Sequence, residues 1–305
     1  MPIKKTNIYG WKGLSLSSRG LSLGIIPDVG GRIISLKYKG EELFYVDKDL
    51  MGLVFDLGCI DFIALKKKLG FLLWGGDKTW VAPEKEWQLN IPPLDLDAGK
   101  YEATVGQGKI ILTSPICRET GLRIIREVSL EHDGKVFLNQ VFVNCSEQPI
   151  TKGIWNVTQV LKPCDCFLAA AQKDVRSYHL EDKSLPSNEI IPVYSRGWSK
   201  IPCRDNTLFK FGAKSNVGLV AVSRKSKFGY ACLIKSFPVF PAREYPHDST
   251  VEVFNSDCHN YFEIETHSPL ITIPAGKSIS HSQKWEIKDF YSKNELLKFI
   301  YGKNN

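Results

Sequence analysis

The fold class predicted by this sequence is all-β: an antiparallel sandwich closed by a short C-terminal helix. Three observations carry that prediction. Short runs rich in Val, Ile, Phe and Tyr recur along the chain with turn residues between them. An Asp133-Gly134 pair stands between two such runs of similar length, which is a strong hairpin signal. A clear helical pattern is confined to the end of the chain.

In chain order, strands are expected at Leu21 to Ile26, Arg32 to Tyr38, Glu42 to Val46, Lys109 to Thr113, Leu122 to Leu130 and Val136 to Val143. The last two are paired through EHDGKV. The second half continues with Thr151 to Val160, Thr207 to Phe211, Gly218 to Val222, Tyr230 to Ile234, Thr250 to Val253, Tyr261 to Thr266 and Ser278 to Ile287. Ser292 stands three residues before Glu295 as a capping box, Leu296, Leu297, Ile300 and Tyr301 make one apolar face, and Gly302 ends the helix. A second short helix is expected at Asp61 to Leu69. The loop from Lys183 to Lys200, with two prolines and Arg196-Gly197-Trp198, is the longest irregular insert in the second half, and such loops on sandwiches often shape a binding mouth. With no internal repeat, low-complexity tract or linker, residues 1–305 are expected to form one domain.

The 305 residues are 43% hydrophobic and 24% charged, the composition of an ordinary globular protein with enough apolar material for a substantial core. The formal charge of +7 is spread along the chain, and its densest cluster is only Lys66-Lys67-Lys68. A solvated basic surface, with no nucleic-acid partner, is the reading this supports. No run approaches the ~20 apolar residues of a membrane helix. Eight cysteines are dispersed, and the start lacks a secretory leader pattern, so a cytoplasmic, reduced protein is expected. Cys164 and Cys166 have no second pair at zinc-site spacing; a metal would need Cys258 or His259 as distant partners, and none is expected, nor any cofactor.

Two stretches carry candidate chemistry. Phe71 to Trp87 reads FLLWGGDKTWVAPEKEW: an apolar run ending in Trp74, a Gly75-Gly76 turn, then Asp77, Lys78, Trp80, Glu84 and Trp87. Indoles interleaved with charged groups are how proteins grip sugar rings, although the same tryptophans would also suit a core. Residues 261 to 269 read YFEIETHSP. Strand alternation puts Tyr261, Glu263, Glu265 and His267 on one face, and Phe262, Ile264 and Thr266 on the other. The polar row is either the solvent side of a half-exposed strand or the floor of a polar cleft. Adjacent carboxylates raise one another's pKa, which suits one of them to acid-base work.

Several motifs in order, VGGRIISLKYKGEELFYV, TGLRIIREVSL, FLNQVFVNCSEQPI, GIWNVTQV, EYPHDSTVEVFN, YFEIETHSPL and ITIPAGKSISHSQKWEI, resemble the strand motifs of the galactose mutarotase-like (aldose 1-epimerase) superfamily. They span residues from about 20 to 288. The segment Gly75 to Glu84 resembles the GGxxxWxAPE of one bacterial branch. The resemblance implies an antiparallel β-super-sandwich with a carbohydrate cleft on the concave face of one sheet, and a small-molecule carbohydrate or sugar derivative as partner.

In the epimerases of that superfamily a late glutamate in a strand reading like ETQ removes the anomeric hydroxyl proton, and Glu265 matches it. A mid-chain histidine supplies the acid, but the corresponding strand Gly153 to Val160 carries Trp155, Asn156, Thr158 and Gln159 instead. Where a second sugar-contacting histidine would fall, this chain has Asp77 and Lys78, which become the candidate proton donors. Trp74, Trp80 and Trp155 are the candidate stacking surface. Glu84, Asn156, Gln159, Tyr245, Glu263 and His267 are candidate substrate contacts, only one of Asn156 and Gln159 being able to point into the cleft. Arg32 reads as structural at a strand start, and Arg196 and Trp198 as a loop that closes over ligand or is anchored by its indole. The implied activity is anomeric epimerisation; the alternatives are a non-catalytic sugar-binding or regulatory module on the same fold, or a glycoside hydrolase or lyase using Glu84 or Glu263 opposite Glu265.

Overall fold

The computed structural model describes residues 2–58, 61–178, 190 and 192–302, and the statements below concern those residues. Period-two patterning does what it predicts. Along Leu122–Leu130 every second side chain is buried, and the facing strand Val136–Asn144 keeps the same inward alternation. The Asp133-Gly134 turn sets their register, with Val136 opposite Leu130. These strands belong to a ten-stranded sheet whose middle also holds Cys164–Leu168, Leu219–Ser226, Gly229–Ser236 and Ser278–Phe290.

The second sheet has twelve strands. From its fourth strand to one edge it runs, in spatial order, Arg32–Tyr38, Asp77–Ala82, Ile150–Leu161, Tyr261–His267, Val251–Asn255, Phe209–Ala213 and the edge strand Val175–Tyr178, with antiparallel pairing throughout. Inward side chains of both sheets, among them Leu23, Ile33, Val81 and Ile264 facing Ile124, Leu138 and Trp285, merge into one core cluster. The fold is thus the antiparallel β-super-sandwich expected. Glycine is required where the early segment turns into the sheet: Gly75 and Gly76 have φ of 99° and 69°, and a Cβ on either would lie 2.2 Å from the Tyr45 carbonyl oxygen or 2.5 Å from that of Ile33.

The C-terminal helix, Lys293–Gly302, makes one half of the expected capping box: the Glu295 N–H donates to Ser292 Oγ at 3.2 Å, while Glu295 Oε2 reaches one residue further back and accepts the Tyr291 N–H at 3.0 Å. The short helix Phe62–Leu69 is capped by Asp61, whose Oδ1 accepts the Ala64 N–H at 2.8 Å. The strands Lys4–Ile8, Trp11–Ser18, Asp77–Ala82, Glu102–Gly106, Cys164–Leu168 and Val175–Tyr178 add to those the sequence predicts, and two expected elements take a different form. The strand proposed over Glu42 to Val46 is only Glu41–Glu42, followed by isolated bridges from Phe44 to Val160 and Val46 to Gly75. The expected irregular loop from Lys183 to Lys200 contains a hairpin, Val193–Ser195 with Trp198–Cys203, turned by positive φ at Arg196 and Gly197; residues 183–189 and 191 lie outside the described residues. Trp198 is buried with Phe167, Ala221 and Leu296, so it anchors the hairpin and does not cover a ligand.

A polar network runs between the sheets. The Asp77 carboxylate, fully buried, pairs with the equally buried Arg126 and accepts hydrogen bonds from Asn156 Nδ2 at 3.0 Å and Thr158 Oγ1 at 2.6 Å. Lys235 Nζ lies 3.6 Å from the same carboxylate and donates to Asn156 Oδ1 at 2.7 Å. Nearby, His281 is buried with its Nε2 unpartnered, and burial, reinforced by the charges of His267 and Lys235, lowers its pKa to about 3. The unfolded chain therefore binds a proton at His281 that the folded chain refuses between about pH 6.5 and 3, and stability must fall as pH falls through that window. Replacing His281 by Gln is expected to make the acid limb shallower by about 1.4 kcal/mol per pH unit below pH 6, read as urea midpoints at pH 7, 5 and 4; an unchanged limb contradicts a neutral buried imidazole.

Candidate functional site

Register decides which side chains share the outer face of the twelve-stranded sheet. On Ile150–Leu161, Trp155 is opposite Trp80 on one side and His267 on the other, Val157 is opposite Lys78 and Glu265, and Gln159 is opposite Glu263. Glu265 is in turn opposite Glu252, Lys210 is opposite Phe254, and Tyr178 is opposite Lys210. Alternation then puts Trp80, Lys78, Trp155, Val157, Gln159, Tyr261, Glu263, Glu265, His267, Glu252, Lys210 and Tyr178 on one face. The row Tyr261, Glu263, Glu265 and His267 is buried, so of its two readings the solvent side is excluded. It is a floor with groups packed over it.

Glu265 is at the centre. Its Oε2 accepts hydrogen bonds from Trp155 Nε1 at 3.0 Å and Lys210 Nζ at 3.2 Å, and only 1% of the residue is exposed. Burial pushes its carboxyl up to about 8, against the pull of Lys210 and with the help of Glu252 and Glu263. On one side, Lys78 Nζ stands 3.5 Å from Glu263 Oε1 and 4.5 Å over the Trp80 ring, and Gln159 Nε2 donates to Glu263 Oε1 at 2.9 Å. Burial lowers the Lys78 ammonium pKa, with Glu263 opposing. On the other side, Glu252 accepts from Tyr178 Oη at 2.8 Å, pairs with Lys210 at 2.9 Å, and lies 3.1 Å from His247 Nδ1. Burial alone would raise the Glu252 carboxyl, but Lys210 and the two histidines beside it hold it well below the usual range. Lys210, despite its burial, is raised above an ordinary lysine by Glu265 and Glu252.

The indoles make a wedge. Trp155 is stacked between Trp87 (5.6 Å, 25°) and His267 (5.3 Å, 29°), and the edge of Trp80 meets both tryptophans. Trp80 Nε1 donates to Asp97 Oδ1 at 2.7 Å, and the same oxygen receives buried Arg32 at 2.6 Å. Arg32 thus holds the wedge through Asp97, consistent with a structural role. Glu84 is exposed in the turn Glu84–Glu86, close enough for its charge to raise Lys210.

The structure gathers Lys78, Trp80, Gln159, Glu263, Glu265 and His267 as expected, with Glu84 at the rim. Five assignments are corrected. Asp77 points between the sheets to Arg126, away from the outer face. Asn156 shares that inner network, leaving Gln159 as the amide on the outer face. Trp74 packs on Trp11 and Phe55 in a separate cluster. Trp155 has both ring faces covered, so it positions Glu265 and does not stack on a sugar. Tyr245 is buried and its hydroxyl accepts the Phe240 N–H at 2.8 Å, which fixes the turn between them.

Four residues escaped the sequence reading: Glu252, His247, Lys210 and Tyr178. The first and third carried a signal. Each is a charge between inward apolar residues, in Val251-Glu252-Val253 and Phe209-Lys210-Phe211, so alternation aims it at the face that holds Glu265. His247 lies in a one-turn helix at φ 52°, which no pattern marks.

No family model matches the chain, and no curated protein does. Solved structures do. A putative aldose 1-epimerase from Klebsiella pneumoniae subsp. pneumoniae aligns with TM-score 0.65 and 13% identity over 99% of this chain and 86% of its own. A galactose mutarotase-like protein from Clostridium acetobutylicum aligns at 0.57 and 14% over 94% and 98%, and a putative aldose 1-epimerase from Escherichia coli K12 at 0.58 and 12% over 90% and 98%. At these identities the likeness is one of fold, and the fold is galactose mutarotase-like.

Proposed function

We propose that the chain binds the reducing end of a free or modified sugar on this face and interconverts its anomers, with Glu265 as base and Lys78 as proton donor. One observation carries the reading: Lys78 and Glu265 flank Val157 from the two neighbouring strands, so a base and a donor stand either side of a small apolar floor residue, their backbones two strand spacings or roughly 10 Å apart. In the reaction the base takes the anomeric hydroxyl proton, the donor protonates the ring oxygen, the bond between that oxygen and the anomeric carbon breaks, and the open-chain aldehyde recloses from either face. Glu263, itself held by Gln159, positions Lys78, and Trp155 and Lys210 hold Glu265. The test is NMR exchange spectroscopy of anomers across neutral, acidic and phosphorylated aldoses. For the responsive sugar, Lys78→Met is expected to lower kcat/KM about 10²-fold or more; no acceleration with any sugar, or an unaffected variant, overturns the mechanism.

A second reading, sugar binding without catalysis, is supported by the ion pairing of every floor carboxylate, Glu252 and Glu265 to Lys210 and Glu263 to Lys78. It predicts saturable binding and no acceleration. In either case the site belongs in a reducing compartment, the cytoplasm, and the seven described cysteines are all free thiols.

A further inference from the structure

Beside Glu265, three metal-ligand atoms from separate positions converge. His247 Nδ1 lies 3.1 and 3.3 Å from the two Glu252 oxygens, His267 Nε2 lies 3.5 Å from Glu252 Oε2, and all three groups have a ligand atom within 4.8 Å of the others. A tetrahedral ion with bonds of about 2.0–2.1 Å sets neighbouring ligand atoms roughly 3.3 Å apart. The distances from each histidine to Glu252, 3.1 and 3.5 Å, match that figure.

The second observation is His267 itself. It is fully buried, yet neither ring nitrogen makes a hydrogen bond among the described residues, the Glu252 oxygen being at the outer limit of reach. A buried imidazole usually satisfies at least one nitrogen, and leaving both without a partner is costly. Glu252 is fixed in place. Tyr178 Oη donates to its Oε1 at 2.8 Å, and Lys210 Nζ meets its Oε2 at 2.9 Å, the kind of outer contact that orients a ligating carboxylate.

We propose that His247, His267 and Glu252 bind one divalent transition-metal ion of the zinc class. Two imidazoles and one carboxylate are the donor set of open, three-ligand zinc sites, and they disfavour Mg²⁺ and Ca²⁺, which take oxygen ligands. The partly exposed side is His247, whose side chain is 21% accessible, so the ion has a route in from solvent. Lys210 keeps its place on Oε2, with Glu265 as its second carboxylate. The proposal does not depend on the sugar reading, since its three ligands take no part in the proposed acid-base step and it is tested without sugar.

The test is calorimetric titration of the EDTA-stripped full chain with Zn²⁺, together with the ligand-field absorption of its Co²⁺ form. One ion per chain is expected. His247→Ala, at the accessible edge, and the isosteric Glu252→Gln should each weaken Zn²⁺ binding by at least about 100-fold, the upper end of what loss of even an outer-shell partner costs. His132→Ala, an exposed histidine of the Asp133-Gly134 hairpin, should leave it unchanged. A thermal melt of each variant shows that it folds, and His247→Ala decides alone should Glu252→Gln fail to. Absence of stoichiometric binding in the unmodified chain, binding that survives His247→Ala, or equal loss in His132→Ala overturns the proposal.

Discussion

Glu265→Gln is expected to lower kcat/KM for anomer interconversion by about 10²–10⁴, the range over which a positioned acid or base contributes. The substitution is suited to the question because the amide keeps the shape of the carboxylate. Its oxygen can still accept from Trp155 Nε1, and Lys210 retains Glu252 at 2.9 Å, so no charge is stranded. Binding of the sugar should therefore change little while the chemical step fails, giving a fall in kcat with KM nearly constant. The measurement is the NMR exchange rate under saturating sugar. A Glu265→Gln protein that exchanges anomers at the wild-type rate would end the assignment of Glu265 as base, and parallel losses in binding and rate would point to a role in holding the sugar.

The largest effect on stability is expected at a residue that sequence reasoning placed in catalysis. Asp77→Ala removes the only carboxylate that the described residues offer Arg126 and Lys235, both fully buried. Breaking a buried ion pair from one side costs about 3–5 kcal/mol, a large share of the total stability of roughly 5–15 kcal/mol for a folded domain. Lys235 can escape part of the penalty, because burial already brings its ammonium down to about 8 and loss of Asp77 eases deprotonation. Arg126 cannot, since a guanidinium holds its proton. Urea or thermal unfolding of the variant reads the loss. A proton-donor role predicts the reverse, normal stability with a slow reaction, and that result would return Asp77 to the site.

The fold was legible because an antiparallel sandwich writes itself in period two. Arg32–Tyr38, Lys109–Thr113 and Leu122–Leu130 have the bounds their sequences predict, and Asp133-Gly134 set the hairpin register. The site was half legible for the same reason. Alternation put Glu263, Glu265 and His267 on one face, but in Asp77–Ala82 every residue is buried, so no burial contrast tells which side the polar members take. Asp77 and Lys78 are adjacent in sequence and therefore point to opposite sides of the sheet. Only the pairing of Val157 with Lys78 and of Thr158 with Asp77 decides which one meets Glu265. Tertiary packing likewise reassigned the indoles. Trp74, Trp80 and Trp198 look alike in sequence, yet they enter three different clusters.

Glu252 and Glu265 face each other directly across neighbouring strands, an arrangement that repels in an isolated hairpin. The cation that reconciles them, Lys210, arrives from a strand some forty residues earlier in the chain. The two late strands thus depend on a third for their charge balance. Lys210, carried by Phe209–Ala213, keeps both carboxylates on one buried face, so losing that single cation would set Glu252 directly against Glu265.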